Sequence, residues 1–175
     1  MRVADRLERL IDPFQPADGP PPRRLIPFAR WALSGSGRAL GMALVIVILA
    51  GLAELVAARF TGWVIDAADA AGQGAFWAPF WPLILGGAVF FLVLRPVLFA
   101  TDAGVSSVVL NPHLMPLVLS RLNRHTLGHS MRYFENDFAG RISQKAMQTA
   151  RALTDVTIEI LDVVIYGLAI FLGTL

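Results

Sequence analysis

The feature that most constrains this chain is a run of twenty residues without a charge, from Ala75 to Leu94. A hydrocarbon core requires about 20 apolar residues of a helix that crosses it, so this run predicts a membrane span. Ala39 to Phe60 is nearly as apolar, although it contains Glu54, and predicts another span. Val163 to Leu175 is thirteen uncharged residues, or about 20 Å of helix, and predicts a third span that stops short of the membrane thickness.

The composition agrees with a membrane protein. Hydrophobic residues make up 55% of the chain and charged residues 16%, whereas a soluble domain is about 25% charged. The net charge is +2, but the basic residues surround the apolar segments and form no continuous stripe, which argues against a nucleic-acid partner. Without any cysteine, the chain has no disulfide, no thiolate metal site and no cysteine nucleophile.

The distribution of arginine and lysine predicts the orientation of the spans. Seven arginines precede Ala39, no basic residue lies between Phe60 and Ala75, and six lie between Thr101 and Asp155. Because basic residues are retained on the cytoplasmic side, the N-terminus and residues 101 to 155 are expected in the cytoplasm. Residues 61 to 75 are then expected to form an outer loop.

The first 24 residues predict a cytoplasmic amphipathic helix at "VADRLERLI", followed by a proline-rich linker that is extended and poor in hydrogen bonds. Residues 25 to 34 begin with "LIPFARWAL", a short apolar segment with Arg30 and Trp31 that "SGSG" interrupts. This pattern is typical of a helix lying in the inner headgroup layer before the chain enters the membrane.

Residues 101 to 155 are too many for a turn between two spans and predict a helical hairpin that projects into the cytoplasm. The first arm has apolar positions at Leu117, Val118 and Leu122, with Arg121 and Arg124 on its polar side. The apolar positions of the second arm are Ile142, Ala146, Met147 and Ala150.

The tip of this hairpin carries the string "MRYFENDFAG". Asn136, Asp137 and Gly140 fit a turn that caps the returning arm. That interpretation does not explain Tyr133 and Phe134, because two adjacent aromatic side chains at an exposed tip usually mark a site for a partner. We therefore expect a soluble partner to bind there.

Two charges fall in or beside the spans. Ionisable groups in hydrocarbon usually face protein or water, so Glu54 either lines a cavity or reaches the outer interface or pairs within the bundle. Its position predicts the outer third of the first span. Arg95 follows the second span and is expected to extend to lipid phosphates at the inner interface. Gly86, Gly87 and the pair Gly37 and Gly41 are candidates for close helix contacts.

Other classes of function have weaker support. His125 and His129 are four residues apart, with His113 nearby, but no carboxylate joins them and no HExxH motif occurs, so we expect no metal site. "DAGVSS" offers Asp102 and serines without an activating base. A three-helix membrane scaffold or regulator without transport activity remains an alternative.

The segment "HSMRYFENDFAGRISQKAMQTARAL" resembles the first intracellular loop of bacterial ABC exporters with the type I transmembrane fold, in particular multidrug-type half-transporters. "LIPFARWAL" resembles their elbow helix, "ARFTGWVIDAA" the end of their first membrane helix and "LVLRPVLFA" their second. The resemblance covers about residues 25 to 175.

The resemblance implies an all-α integral membrane protein, the N-terminal part of a transmembrane domain. It implies an elbow helix at 25–34, a first transmembrane helix at about 39–60 and a second at about 76–100 that extends into the cytoplasm. A coupling helix follows at about 130–136, and a third helix begins near 138 with its membrane part at 156–175. The coupling residues implied are Arg132, Tyr133, Phe134, Asn136, Asp137, Gly140 and Arg141.

The resemblance also implies the partners. The tip would dock on a nucleotide-binding domain that holds ATP and magnesium, and a second half-transporter would complete a homodimer or heterodimer in the bacterial inner membrane. The substrate would be a small amphiphile, with Glu54 as a candidate cavity residue. No phosphate-binding motif occurs in these 175 residues, so no catalytic site or cofactor is expected in them. Because three helices cannot enclose a transport pathway, we expect the chain to be a fragment or a truncated product.

Overall fold

The computed structural model describes residues 10–71, 77–130 and 139–173, and within these ranges the chain is helical without β-strands. The helices are α1 (Leu25–Ala32), α2 (Gly37–Ala71), α3 (Trp77–Val89), α4 (Arg95–Gly104), α5 (Asn111–Leu127), α6 (Ala139–Glu159) and α7 (Tyr166–Gly173). Three π-helical turns, at Phe90–Leu94, Val105–Leu110 and Ile160–Ile165, join α3 to α4, α4 to α5 and α6 to α7 without a break. The predicted N-terminal amphipathic helix lies mostly outside the described residues.

Three of the resulting helical stretches are long and apolar enough to cross a membrane: Gly37–Asp69, Trp81–Leu127 and Gly140–Gly173. The predicted all-helical chain with three such helices is therefore confirmed at this level. Only 6% of the most apolar window of the second and third stretches is buried within the described chain. The remaining apolar surface needs lipid or further protein to cover it.

The first long helix extends further than the sequence indicates. The predicted span ends at Phe60, whereas α2 continues to Ala71 through residues that we expected in an outer loop. Within this extension the Thr61 hydroxyl donates to the carbonyl oxygen of Ala57 at 3.0 Å, which satisfies the hydroxyl inside the helix. One side of α2 is buried along a row of small residues: Ala39, Ala43, Val47, Ala50, Ala53 and Ala57.

The short helix α1 ends where the sequence predicts an interruption. Gly35 has φ +86°, a conformation that side chains rarely adopt, and a Cβ there would collide with the side chain of Gln15. The amide of Ser36 donates to the carbonyl oxygen of Leu33 at 3.1 Å, which closes the turn. α2 then begins at Gly37.

The chain divides into two compact units, Met1–Ala43 with Gly104–Ile160, and Leu44–Ala103 with Leu161–Leu175. In the first unit α5 packs against α6 and against α1. Its core joins Ala32, Val118 and Ala150, all fully buried, one from each of these helices. The paired arms of the predicted hairpin thus form one packed body with α1.

The apolar face of the second arm differs from the prediction at one position. Met147 is exposed, while Leu153 packs on the core and Thr154 is buried. The Thr154 hydroxyl donates to the carbonyl oxygen of Ala150 at 2.9 Å, which satisfies it inside the helix. The buried face of the second arm therefore includes Thr154 and leaves out Met147.

Candidate functional site

The site predicted at the hairpin tip falls mainly outside the described residues. This applies to Arg132, Tyr133, Phe134, Asn136 and Asp137. Gly140 and Arg141 lie in the first turn of α6, where both are exposed. Their assignment to coupling stays a prediction.

Glu54 and Arg95 form an ion pair in the second unit. The Nε and Nη2 atoms of Arg95 donate to Glu54 Oε1 at 2.9 and 2.7 Å. The guanidinium carbon also lies 5.9 Å from the centre of the Phe91 ring and 5.5 Å from that of Phe99. These rings reinforce the pair, since an aromatic face attracts a cation within about 6 Å.

This ion pair changes the predicted depths of Glu54 and Arg95 in the membrane. Two groups that share a hydrogen bond lie at the same level of a membrane, so Glu54 cannot be in the outer third while Arg95 is at the inner interface. Glu54 is the central residue of α2, because the helix extends to Ala71. The expectation that Arg95 extends to lipid phosphates is wrong, since its guanidinium bonds to Glu54. Pairing within the bundle was one of the alternatives for Glu54.

Close helix packing surrounds the pair. A Cβ on Gly51, one turn before Glu54, would lie 2.8 Å from the Cβ of Ala169 and 3.5 Å from the carbonyl oxygen of Tyr166. Arg95 and Tyr166 each begin a helix directly after a π-helical turn, a feature that often occurs at functional sites.

An apolar cleft of about 420 Å³ lies between α2 and α7 in the same unit. Its walls are Ile48, Leu52, Ile165, Leu168, Ala169, Leu172 and Gly173. Ligand sites commonly combine such an apolar surface with a few polar groups. This unit therefore contains both an apolar cleft and a charged pair.

Arg121 lies in an environment that its sequence pattern does not predict. It was expected on the polar side of the first arm, but it is 3% exposed. Its guanidinium makes five hydrogen bonds of 2.6–3.1 Å. The acceptors are the carbonyl oxygens of Gln15, Trp31, Ala32 and Ser34 and the hydroxyl of Ser34. We call Arg121 and these acceptors the Arg121 clamp.

The clamp holds the proline-rich linker and the end of α1 on the first arm. The Ser120 hydroxyl adds a bond of 2.6 Å to the carbonyl oxygen of Pro13, and the Trp31 indole N–H lies 3.2 Å from the carbonyl oxygens of Asp18 and Gly19. The linker lacks a helix, as predicted. The expectation that it is poor in hydrogen bonds is wrong, because side chains of α1 and α5 donate to its carbonyls.

The histidines form no metal site within the described ranges, where no group of three metal-binding side chains comes together. His125 and His129 meet edge to face with ring centres 4.9 Å apart. The Nδ1 atom of His113 lies 3.0 Å from the carbonyl oxygen of Val109, within its own helix.

These features define an all-helical protein with three membrane-capable helices and a charged pair among them. Over 173 residues the chain is 23% identical to an "Uncharacterized ABC transporter ATP-binding protein" of Haemophilus influenzae. The alignment covers 98% of the chain and 28% of that relative, so the chain spans less than a third of the relative's length. No protein-family model matches the chain. No solved structure matches it either.

Proposed function

We propose that this chain is the membrane-spanning N-terminal part of an ATP-driven ABC exporter in a bacterial inner membrane, with its N-terminus in the cytoplasm. Two observations carry the proposal. An alignment over 98% of the chain shows 23% identity to an ABC transporter protein, and three helices are long and apolar enough to cross a membrane. A second half-transporter, identical or different, would complete the pathway. ATP and magnesium would bind to a nucleotide-binding domain outside residues 1 to 175.

The length of the second and third helices supports a coupling role. They contain 47 and 34 residues, whereas a bilayer requires about 20. Their excess lengths include α5 and α6, which pack on each other as two arms. Paired arms of this length can carry a docking element at 130–136 well beyond the bilayer. Arg132, Tyr133, Phe134, Asn136, Asp137, Gly140 and Arg141 are the residues proposed to transmit nucleotide-driven closure.

The second unit is the proposed part of the substrate pathway. Its apolar cleft suits the tail of a small amphiphile, and the charged pair offers polar contacts to a headgroup. The carboxylate of Glu54 already bonds to Arg95, so Glu54 would contribute to stability as well as to substrate contact. Removing the carboxylate would leave a cation unpaired, so a Glu54 variant tests stability as well as selectivity.

The test uses Phe134→Ala in the intact gene product that contains this chain, reconstituted in vesicles. Central aromatic side chains concentrate interface energy, and their truncation commonly costs about 2 kcal/mol or more. We expect normal membrane insertion, loss of substrate-stimulated ATP hydrolysis and reduced transport. Asp137→Ala is the matched control, since a lost helix cap costs about 1 kcal/mol and should have a smaller effect.

Full substrate-stimulated ATPase activity and full transport in Phe134→Ala would contradict the coupling assignment. The aromatic pair would then be explained by packing between the two arms. If the intact wild-type product neither hydrolysed ATP nor moved any amphiphile, the alternative of a membrane scaffold would replace the exporter.

A further inference from the structure

The ion pair between Glu54 and Arg95 leaves bonding groups unused on both partners. Glu54 accepts both hydrogen bonds on Oε1, and Arg95 donates them from the edge of the guanidinium that carries Nε and Nη2. A guanidinium has a second edge, formed by Nη1 and the other hydrogen of Nη2, which binds two oxygen atoms of one anionic group. Within the described part of the chain, this second edge and Oε2 of Glu54 have no hydrogen-bond partner.

The unused groups are accessible from outside the protein. Among the described residues, no buried side-chain nitrogen or oxygen atom lacks a partner. Nη1 of Arg95 and Oε2 of Glu54 therefore reach the surface, in agreement with side chains that are 39% and 24% exposed. Lipid tails offer no hydrogen bonds, so charged groups among membrane-capable helices face protein, water or a polar ligand.

An apolar recess adjoins the guanidinium. It has a volume of about 250 Å³, and its walls are Phe91, Pro96 and Phe99 together with Arg95 itself. The two phenyl rings lie 5.9 and 5.5 Å from the guanidinium carbon, so they hold the cation in one position before a ligand arrives. Apolar walls around a few polar groups are typical of ligand sites. The recess therefore suits a molecule with an apolar body and a charged head.

Charge balance determines the kind of head. Glu54 and Arg95 already neutralise each other, so a lone anion on Arg95 would be repelled by the neighbouring carboxylate. A lone cation on Glu54 would be repelled by the guanidinium in the same way. Either ligand would also leave a net charge among apolar helices. A headgroup that carries both charges avoids these costs, because each of its charges meets the unused group of opposite sign.

We propose that Glu54 and Arg95 form a binding site for a small zwitterionic amphiphile. Its phosphate or carboxylate accepts two hydrogen bonds from the second edge of the Arg95 guanidinium, and its ammonium group lies against Oε2 of Glu54. Its apolar part packs on Phe91 and Phe99. Bidentate bonds between a guanidinium and an anionic oxygen pair are among the strongest in proteins. The binding site stands on these contacts, whereas transport of the bound molecule rests on the proposed exporter function.

Three amphiphiles with the same decyl chain test the selectivity. Decylphosphocholine is zwitterionic, decyl phosphate is anionic and decyltrimethylammonium is cationic. Each is titrated into uncharged maltoside micelles that hold the chain, and the thermal unfolding midpoint is followed, since a ligand of the folded state raises it. A contact to a charged group contributes about 1.5 kcal/mol or more, so decylphosphocholine should half-saturate at a concentration at least about tenfold lower than the other two.

Two results of this titration would overturn the proposal. One is the lack of a saturable shift with any of the three compounds, which would mean that protein covers the pair. The other is a half-saturation by decylphosphocholine that is no lower than that of a singly charged compound. A phosphatidylcholine with two chains should bind more weakly than decylphosphocholine, because the recess is small. Equal or tighter binding of the two-chain lipid would overturn the assignment to a small amphiphile and indicate a bilayer lipid instead.

Single variants should change which compound binds best. Glu54→Gln leaves an unpaired guanidinium and should favour decyl phosphate over decylphosphocholine, while Arg95→Gln should favour decyltrimethylammonium. Arg59→Gln is the control, because it removes a charge from α2 without touching the pair, and its preference should match that of the wild type. An unchanged preference for decylphosphocholine in both Glu54→Gln and Arg95→Gln would overturn the proposal.

A double variant keeps the test decisive if the single variants do not fold. Glu54→Gln combined with Arg95→Gln leaves no unpaired charge, and it should bind the three compounds within about twofold of one another, since both charged contacts are lost. A preference of about tenfold for decylphosphocholine in this variant would overturn the proposal.

The intact gene product separates this proposal from the exporter function. If that product hydrolyses ATP and moves amphiphiles without any preference for decylphosphocholine, the substrate assignment fails and the exporter function stands. If decylphosphocholine binds selectively to the chain but the intact product neither hydrolyses ATP nor moves any amphiphile, the binding site stands and the exporter function fails.

Discussion

At the scale of single residues, Arg121 shows how much one buried side chain can hold in place. A guanidinium stays protonated in proteins, so its burial requires acceptors for its N–H groups. Here those acceptors are three backbone oxygens and the Ser34 hydroxyl around the end of α1, and one carbonyl oxygen of the linker. Because the last carbonyls of a helix have no partner inside the helix, the cation also stabilises the C-terminal end of α1.

We expect Arg121→Lys to loosen the linker. Lysine keeps the charge but provides three donors from one point, so it cannot reproduce a fork of five bonds. Trypsin should then cut after Arg24 several-fold faster than in the wild type, because cleavage requires local opening and the clamp holds the chain on both sides of this bond, at Gln15 and at Trp31 and Ser34. Arg124→Lys is the matched control on the same helix, and its digestion rate should equal that of the wild type. Identical rates for both variants would show that the clamp does not hold the linker.

The ion pair between Glu54 and Arg95 has consequences for variants at either position. An unpaired charge in hydrocarbon costs about 2.5 to 3.5 kcal/mol on the insertion scale, so each partner depends on the other. We expect Glu54→Gln or Arg95→Gln alone to destabilise the chain by less than the roughly 3 to 5 kcal/mol lost on breaking a fully buried pair, because both side chains are partly exposed. The double variant should lose less than the sum of the two single variants, because it leaves no charge behind. Thermal unfolding in detergent measures this, and strictly additive losses would show that the pair contributes nothing.

At the scale of helices, the close contacts of α2 depend on glycine residues. Gly37 and Gly41 were candidates for close contact, but a Cβ on either would meet open space. Gly87 does approach another helix, since a Cβ there would collide with the ring of Phe60, whereas neighbouring Gly86 would not. The glycine pattern therefore predicted the close contact at Gly87 but missed the one at Gly51. A glycine pattern does not show which side of a helix packs against another helix.

Gly51→Ala tests the contact between α2 and α7. The added methyl would meet the Cβ of Ala169, which has no rotamer to move away, so the helices themselves must separate. We expect a loss of about 1 to 3 kcal/mol in thermal unfolding. Gly62→Ala on the same helix meets open space and should be neutral or slightly stabilising, since alanine is the better helix former. A neutral Gly51→Ala would mean that the two helices do not approach this closely.

The sequence predicted which segments are helical better than it predicted where they end or what they contact. Long apolar runs and helical periodicity identified the three membrane-capable helices and both arms, because these signals are local. The extension of α2 to Ala71 was missed, since "TGWVIDAADAA" is polar enough to suggest a loop and only its hydrogen bonds reveal a helix. The Arg121 clamp was missed for another reason. Four of its five acceptors are main-chain oxygens in segments far away in sequence, and main-chain acceptors leave no residue pattern.

At the scale of the whole molecule, the first unit constrains the topology. The Ser120 hydroxyl donates to Pro13 and Arg121 to Gln15, so the linker and the first arm are in direct contact. Groups in contact lie on the same side of a membrane, and the two spans between them must then cross it once in each direction. This arrangement is the one that the arginine distribution predicts. Contacts alone do not specify which side it is; the excess of arginine predicts the cytoplasmic side.

Single cysteines test this orientation, because no native cysteine interferes. Gln144 is exposed on α6, so Gln144→Cys should be protected from an impermeant thiol reagent in intact cells and should react after the membrane is opened. Gln73→Cys, placed between the first two spans, should react in intact cells, since positive charge is absent from that segment. Pro16→Cys in the linker should behave as Gln144→Cys does, because both positions belong to the first unit. If Gln144→Cys and Pro16→Cys reacted in intact cells while Gln73→Cys did not, the chain would have the opposite orientation. If Pro16→Cys and Gln144→Cys differed from each other, the contact between the linker and the first arm would itself be wrong.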